Sequence, residues 1–368
     1  MPHGIKLGEV FGIPVRVHYT WFIASALIII TLALTFRGTN PLWQNIILGV
    51  IASLLFFASV CARTLAQSFV ANNRGMPVKS LILYVFGGVP RITEQDTRPI
   101  PDILVAITGP LSSLVIAGIF YALLHTSASL GIFMLAGLMQ WLFYFNIMMT
   151  LVNIIPAFPL DGGRALRAIL QLTKRDYSRA SRIATFTGRV VGFLLIAAGI
   201  LAIILAREWF AGIATAVFGW FLEDAATTSR RQALVRDALR GITAHDMMTQ
   251  DYTPIKQQLT FGLVREYIIN SGQHCFVVIE DGKLNGIVTL GDIQIPEKRW
   301  ETARISDIMT PAERLKTAQP DQPAVDPLEQ MDDYDIDQIP VLQEYSLVGM
   351  VTRERLLRFL KARAVLKA

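Results

Sequence analysis

The sequence predicts a multi-pass α-helical membrane domain, with about six spans and a small membrane-associated β-hairpin, followed by a soluble α+β module of two tandem repeats. Three observations carry this. The 368 residues are 52% apolar and only 17% charged, and the mean hydropathy is +0.44, too apolar for an ordinary soluble protein. The apolar residues are concentrated before Trp220. Further on, the chain repeats itself at a spacing of about sixty residues. Residues 1–224 are assigned to the membrane domain, 225–242 to a helical linker and 243–368 to the repeats. The first repeat covers about 243–300 and the second about 301–362.

The six expected spans are Tyr19–Phe36, Trp43–Ala62, Ile103–His125, Ile132–Ile155, Thr185–Ala206 and the short Trp209–Leu222. Basic residues alternate between their connections. Arg74, Lys79, Arg91 and Arg98 follow the second span, and Arg164, Arg167, Lys174 and Arg175 follow the fourth, whereas the opposite side carries only Arg37 and Arg207. That bias predicts cytoplasmic termini and a cytoplasmic repeat module; the expected location is a prokaryotic plasma (inner) membrane. No cleavable signal peptide is expected, because the first apolar run is long enough to span and lacks a small-residue cleavage site. Cys61 and Cys275 fall in different domains, so neither a structural disulfide nor a cysteine-based zinc site is expected.

Between the second and third spans lies MPVKSLILYVFGGVPRIT, residues 76–93. Its apolar core is too short to cross a bilayer, and Gly87-Gly88 is a turn signal between β-prone residues. A hairpin partly buried in the membrane face is expected, since backbone at that depth must pair with itself or with protein. After the last span, RRQALVRDALRG, residues 230–241, reads as a basic amphipathic connector at anionic lipid head groups.

In the soluble part, AHDMMTQD (244–251) parallels SDIMTPAE (306–313), and HCFVVIEDGKLNGIVTLGDI (274–293) parallels QIPVLQEYSLVGMVTRERL (338–356). Each unit reads as a short strand, a helix, two strands and a helix. This pattern resembles a tandem pair of cystathionine-β-synthase-type (CBS) domains. The resemblance implies adenine-nucleotide binding, for which Thr289 and Asp292 match the ligand pattern of the first repeat and Thr352 that of the second. Arg355 stands where the second acid is expected; it cannot accept from a ribose but can meet a phosphate. A homodimerisation module is the competing role.

Two stretches carry the chemistry of the membrane half. SVCARTLAQSFVANNRGMPV, residues 59–78, ends the second apolar run with Arg63, Thr64 and Gln67 at i, i+1 and i+4, one face of a helix. NIIPAFPLDGGRALRAIL, residues 153–170, breaks the fourth span at Pro156 and Pro159, places Asp161 there, and follows it with Gly162-Gly163. A carboxylate at the end of a span marks a site, although alone it could be a helix N-cap. Together with the RGMPV and VFGGV segments, N-x-x-P-x-x-P-L-D-G-G resembles the site-2 protease family of intramembrane zinc metalloproteases. A tandem CBS pair after the last span is an arrangement known in that family.

The resemblance implies an H-E-x-x-H first motif, two zinc-ligating histidines and a general-base glutamate, with Asp161 as third ligand. Here Arg63 and Gln67 stand for the histidines and Thr64 for the glutamate. Arg63 cannot ligate, Thr64 cannot act as a base near neutral pH, and Asp161 is the one surviving metal ligand. No zinc is therefore expected. Asn153, Gly87 and Gly88 are the residues expected to bind substrate. Arg63 either pairs with Asp161 or snorkels to the head groups.

Two functions follow. One is a zinc-free pseudoprotease in the lipid bilayer that binds transmembrane substrates or partners, controlled by a nucleotide-sensing CBS pair. The alternative is an active intramembrane zinc metalloprotease, serving regulated intramembrane proteolysis, in which the residues at 63, 64 and 67 have been altered. A transporter is disfavoured by the absence of inverted repeats and of a row of intramembrane charges, and no nucleic-acid partner is expected.

Overall fold

The computed structural model describes residues 4–10, 12–35, 41–84, 87–92, 98–174, 176–270, 275–280, 282–289, 292, 300–344 and 346–366. The chain divides into two compact units, one ending at Ala233 and the other running from Leu234.

The first unit contains β1 (Gly4–Val10), β2 (Ile13–His18), α1 (Thr20–Thr35), α2 (Leu42–Asn73), β3 (Val78–Tyr84), β4 (Gly87–Ile92), α3 (Pro99–Ser129), α4 (Phe133–Ile154), α5 (Asp161–Lys174) and α6 (Tyr177–Ala206). It also holds most of α7 (Trp209–Leu239). Four helices, α2, α3, α4 and α6, are long and apolar enough to cross a membrane, where six spans were expected. The 16 residues of α1 rise about 24 Å at 1.5 Å each, short of a hydrocarbon core of about 30 Å. In α7 the apolar stretch meets Glu223 and Asp224 and then Arg230 and Arg231. The helix is therefore too polar along its length to count as a span.

The expected hairpin is β3–β4, with Leu81 opposite Pro90 and Ile82 opposite Val89. Gly87 and Gly88 lie within β4, opposite Tyr84 and Leu83, rather than in the turn. The hairpin is half of a four-stranded sheet ordered β1-β2-β3-β4. Two strands precede α1 where none was expected. In β2 the alternation Ile13, Val15, Val17 is buried while the intervening residues are less so, which is the period of a sheet with one face on a core. That face, with Leu81 and Leu83, packs on Leu32 of α1, Leu48, Ala52 and Phe56 of α2, and Leu138 and Leu142 of α4.

Helices α6 and α7 cross closely. A Cβ on Gly199 would press on the Gly212 carbonyl, and one on Gly192 on the Gly219 carbonyl. Glycines at these crossings let the two backbones approach to contact.

The second unit contains α8 (Ala244–Met247), β5 (Pro254–Ile255), α9 (Phe261–Asn270), β6 (Cys275–Glu280), β7 (Lys283–Thr289), α10 (Ile305–Ile308), β8 (Thr310–Pro311), α11 (Val325–Tyr334), β9 (Gln338–Gln343), β10 (Ser346–Thr352) and α12 (Arg353–Leu366). Its sheet runs β5-β6-β7-β10-β9, with β8 on β7. The repeats are cross-docked. Thr249, from the start of the first repeat, exchanges both backbone hydrogen bonds with Met350 of the second at 2.8 Å each. Thr310, from the start of the second, pairs with Ile287 of the first. Between β8 and α11, Ala318 makes an isolated bridge to Val341.

The basic segment at 230–241 is more than a solvated connector. It continues α7 to Leu239, which is buried with Met247, Ile339 and Val351. Arg236 pairs with Glu329 at 2.8 Å.

Candidate functional site

Arg63, Thr64 and Gln67 lie on the buried face of α2 and are 6%, 0% and 2% exposed. Asp161, 7% exposed, opens α5 after the Pro156–Pro159 break. The loop returns tightly because a Cβ on Gly162 would strike the Ile154 carbonyl and one on Gly163 the Phe158 amide. The two glycines of the Asp-Gly-Gly sequence therefore let the first turn of α5 sit against the end of α4.

Both carboxylate oxygens of Asp161 accept from α2. Arg63 donates from Nη2 to Asp161 Oδ2 in a buried ion pair. Gln67 donates from Nε2 to Asp161 Oδ1 at 2.9 Å and also reaches the Val105 carbonyl at 3.4 Å. Of the two placements open to Arg63, the structure has the pair rather than the snorkel. Thr64 takes no part: its hydroxyl donates to the Val60 carbonyl of its own helix at 2.8 Å. The third side is closed by α3, where a Cβ on Gly109 would collide with both Asp161 Oδ2 and Gln67 Nε2.

These groups do not fit a zinc ion. A guanidinium has no lone pair to give, and the amide of Gln67 presents its N–H side to the carboxylate. Among the described residues, no three His, Cys, Asp or Glu side chains come together as a possible metal site.

The other residues expected at the site are placed differently. Asn153 is buried, but its amide donates to the Met149 carbonyl at 2.8 Å within α4. Gly87 and Gly88 are ladder residues of β4. Among the described residues, no hydrogen bond joins any of the three to the Arg63–Asp161 cluster.

A second buried cluster was not foreseen. Asp102, near the start of α3, accepts from Arg164 at 3.0 Å and from Arg167 at 2.8 Å, both on α5. Arg167 also donates to the Tyr177 hydroxyl at 3.2 Å and lies 5.1 Å from the Phe158 ring centroid. It holds the helix that carries Asp161 against α3. In sequence, Arg164 and Arg167 look like cytoplasmic-side charges; the clue was the lone acid Asp102 heading an apolar span.

In the second unit, Thr289 donates its hydroxyl to Asp292 Oδ2 at 2.7 Å, and its backbone N–H reaches the same oxygen at 2.8 Å. Thr352 accepts from the Arg355 amide at 3.3 Å. The chain around Asp292, residues 290–291 and 293–299, lies outside the described residues. Beside this pair, burial and then the negative charge of Asp292 push the Cys275 thiol up to about 12.

Comparison with known proteins fits this geometry into a family. Residues 43–197 match peptidase family M50, and residues 244–294 and 305–362 match the CBS domain. A Mycobacterium tuberculosis protein bearing the name "Putative zinc metalloprotease Rip3" is 30% identical over 338 residues, covering 90% of this chain and 86% of that protein. Zinc metalloprotease MJ0392 of Methanocaldococcus jannaschii is 28% identical over 297 residues, 81% of each chain. A solved site-2 protease from Methanocaldococcus jannaschii aligns at 27% identity and a TM-score of 0.45, covering 62% of this chain and 96% of that one. This chain belongs to peptidase family M50, the site-2 proteases, as a membrane protein that also carries a pair of CBS domains.

Proposed function

We propose that this chain is a zinc-free pseudoprotease of its family. It binds transmembrane segments of substrates or partner proteins without cleaving them, and its CBS pair adjusts that binding through an adenine nucleotide. One observation carries the proposal: both oxygens of Asp161 are taken by Arg63 and Gln67. The carboxylate that would ligate a catalytic metal is neutralised by a fixed cation. Thr64, at the general-base position, is tied to its own helix. The pairing of Thr289 with Asp292 supports a nucleotide site in the first repeat. Control by nucleotide requires that it bind one state of the protein better than another. The same proposal places the protein in a prokaryotic plasma membrane with its CBS pair in the cytoplasm, as a homodimer through that pair.

Metal content and cleavage test it together. The purified chain should hold no stoichiometric zinc and leave test transmembrane segments intact, with or without chelator. Cross-linking to a transmembrane partner should change when ATP or AMP is added. One zinc per chain with chelator-sensitive cleavage would instead establish an active protease, as the names of the relatives favour.

A further inference from the structure

One helical turn beyond Gln67, the end of α2 and the first half of α3 enclose a cavity of about 380 Å³ lined by Val70, Asn73, Arg74, Leu104 and Thr108. Nothing in the Arg63–Asp161 chemistry uses it. Its chemistry is sharply divided. Arg74 and Asn73 are exposed, and among the described residues the Arg74 guanidinium enters no ion pair or side-chain hydrogen bond. The nearest acid in sequence to Leu104, Asp102, is already held by two arginines and does not offset it. Thr108 spends its proton on the Leu104 carbonyl at 2.7 Å. The same two helices also present Phe69, Ile107 and Leu111, within a turn of the lining residues in sequence and each more than half exposed.

The placement fixes what such a groove faces. Helix α2 is a candidate span that ends at Asn73, and its 32 residues rise about 48 Å against a hydrocarbon core of about 30 Å, so its end at Arg74 reaches the polar head-group region. With no acid paired to it among the described residues, a cation at that level beside an apolar strip matches an amphiphile with an anionic head and acyl tails. We propose that this groove is a binding site for an anionic phospholipid, its phosphate on Arg74 and Asn73 and its acyl chains along Phe69, Ile107 and Leu111. The proposal is independent of whether Asp161 ever holds a metal.

The test uses the full chain, delipidated in neutral detergent and titrated with phosphatidylglycerol or phosphatidylcholine under native mass spectrometry. Phosphatidylglycerol should bind about fivefold more tightly, the worth of one basic residue near an anionic surface. Glycerol 3-phosphate, which lacks acyl chains, should not compete. Arg74→Gln should abolish the preference and Arg74→Lys should keep most of it. Arg207→Gln, at the end of α6 and outside the groove, should leave it intact. A preference that survives Arg74→Gln, or that Arg207→Gln removes equally, would overturn the site. Equal competition by glycerol 3-phosphate would show a free-anion site, and displacement only by a transmembrane peptide would show a protein groove; either outcome refutes the lipid.

Discussion

Gln67 donates its side-chain amide to Asp161 at 2.9 Å across 94 residues of chain, completing a carboxylate already held by Arg63. Two residues of α2 and one of α5 thus form a closed hydrogen-bonded set in which the guanidinium supplies the positive charge. Gly109 on α3 seals it. This cross-brace ties α2 to the start of α5.

Removing the acid should be costly. With Asp161→Ala, Arg63 keeps a buried charge without its partner, a loss of about 3–5 kcal/mol. The apparent thermal midpoint in detergent should fall clearly, and adding Arg63→Leu should recover part of it. If neither substitution moves the midpoint, the pair is not structural.

The scaffold should accept a metal once the donors are supplied. Asp161 lies within hydrogen-bonding reach of both positions 63 and 67. Changing Arg63→His, Thr64→Glu and Gln67→His together should bind about one zinc per chain, and chelator should lower the thermal midpoint of that variant alone. Zinc analysis of the triple variant beside the unaltered chain checks this.

Asp102 should matter more than either arginine it holds. Asp102→Asn leaves Arg164 and Arg167 short of a counter-charge, and Arg167 is nearly fully buried. A loss of about 3 kcal/mol or more is expected. Arg164→Gln should cost less, because Arg167 still neutralises Asp102. Thermal unfolding of the two variants in the same detergent ranks them.

Cys275 should make the soluble module sensitive to alkali. An unfolded cysteine loses its proton near pH 8.5, but the buried thiol is pushed up to about 12. Between those values the folded state binds the extra proton, so this contribution to stability is complete below the unfolded value and declines as pH rises toward the folded one. Compared with Cys275→Ala, the unaltered chain should lose stability faster above pH 8.5. Its thiol should stay inert to maleimide at neutral pH until the module unfolds.

Local sequence carried the framework. The apolar runs mark α2, α3, α4 and α6, because a backbone in hydrocarbon must satisfy its hydrogen bonds internally. The Asn153-to-Gly163 segment and the polar Arg63, Thr64 and Gln67 at the end of an apolar run are explicit in the residues, as is the tandem repeat. The alternation Ile13-Pro14-Val15-Arg16-Val17-His18 also carried the period of β2, but its short length beside an apolar helix hid it.

By itself the sequence determined that this is a membrane-embedded M50-type chain with a CBS pair and with Arg63, Thr64 and Gln67 where metal chemistry would need other residues. Only the tertiary structure decided that Arg63 turns inward to Asp161, that Asp102 gathers two arginines of α5, and that the start of each repeat pairs with a strand of the other. The partners in these interactions lie far apart in the chain, and no local periodicity encodes them. They are set by which helix faces and strand edges meet when apolar surface is buried, and then by the rule that every buried charge must find its complement.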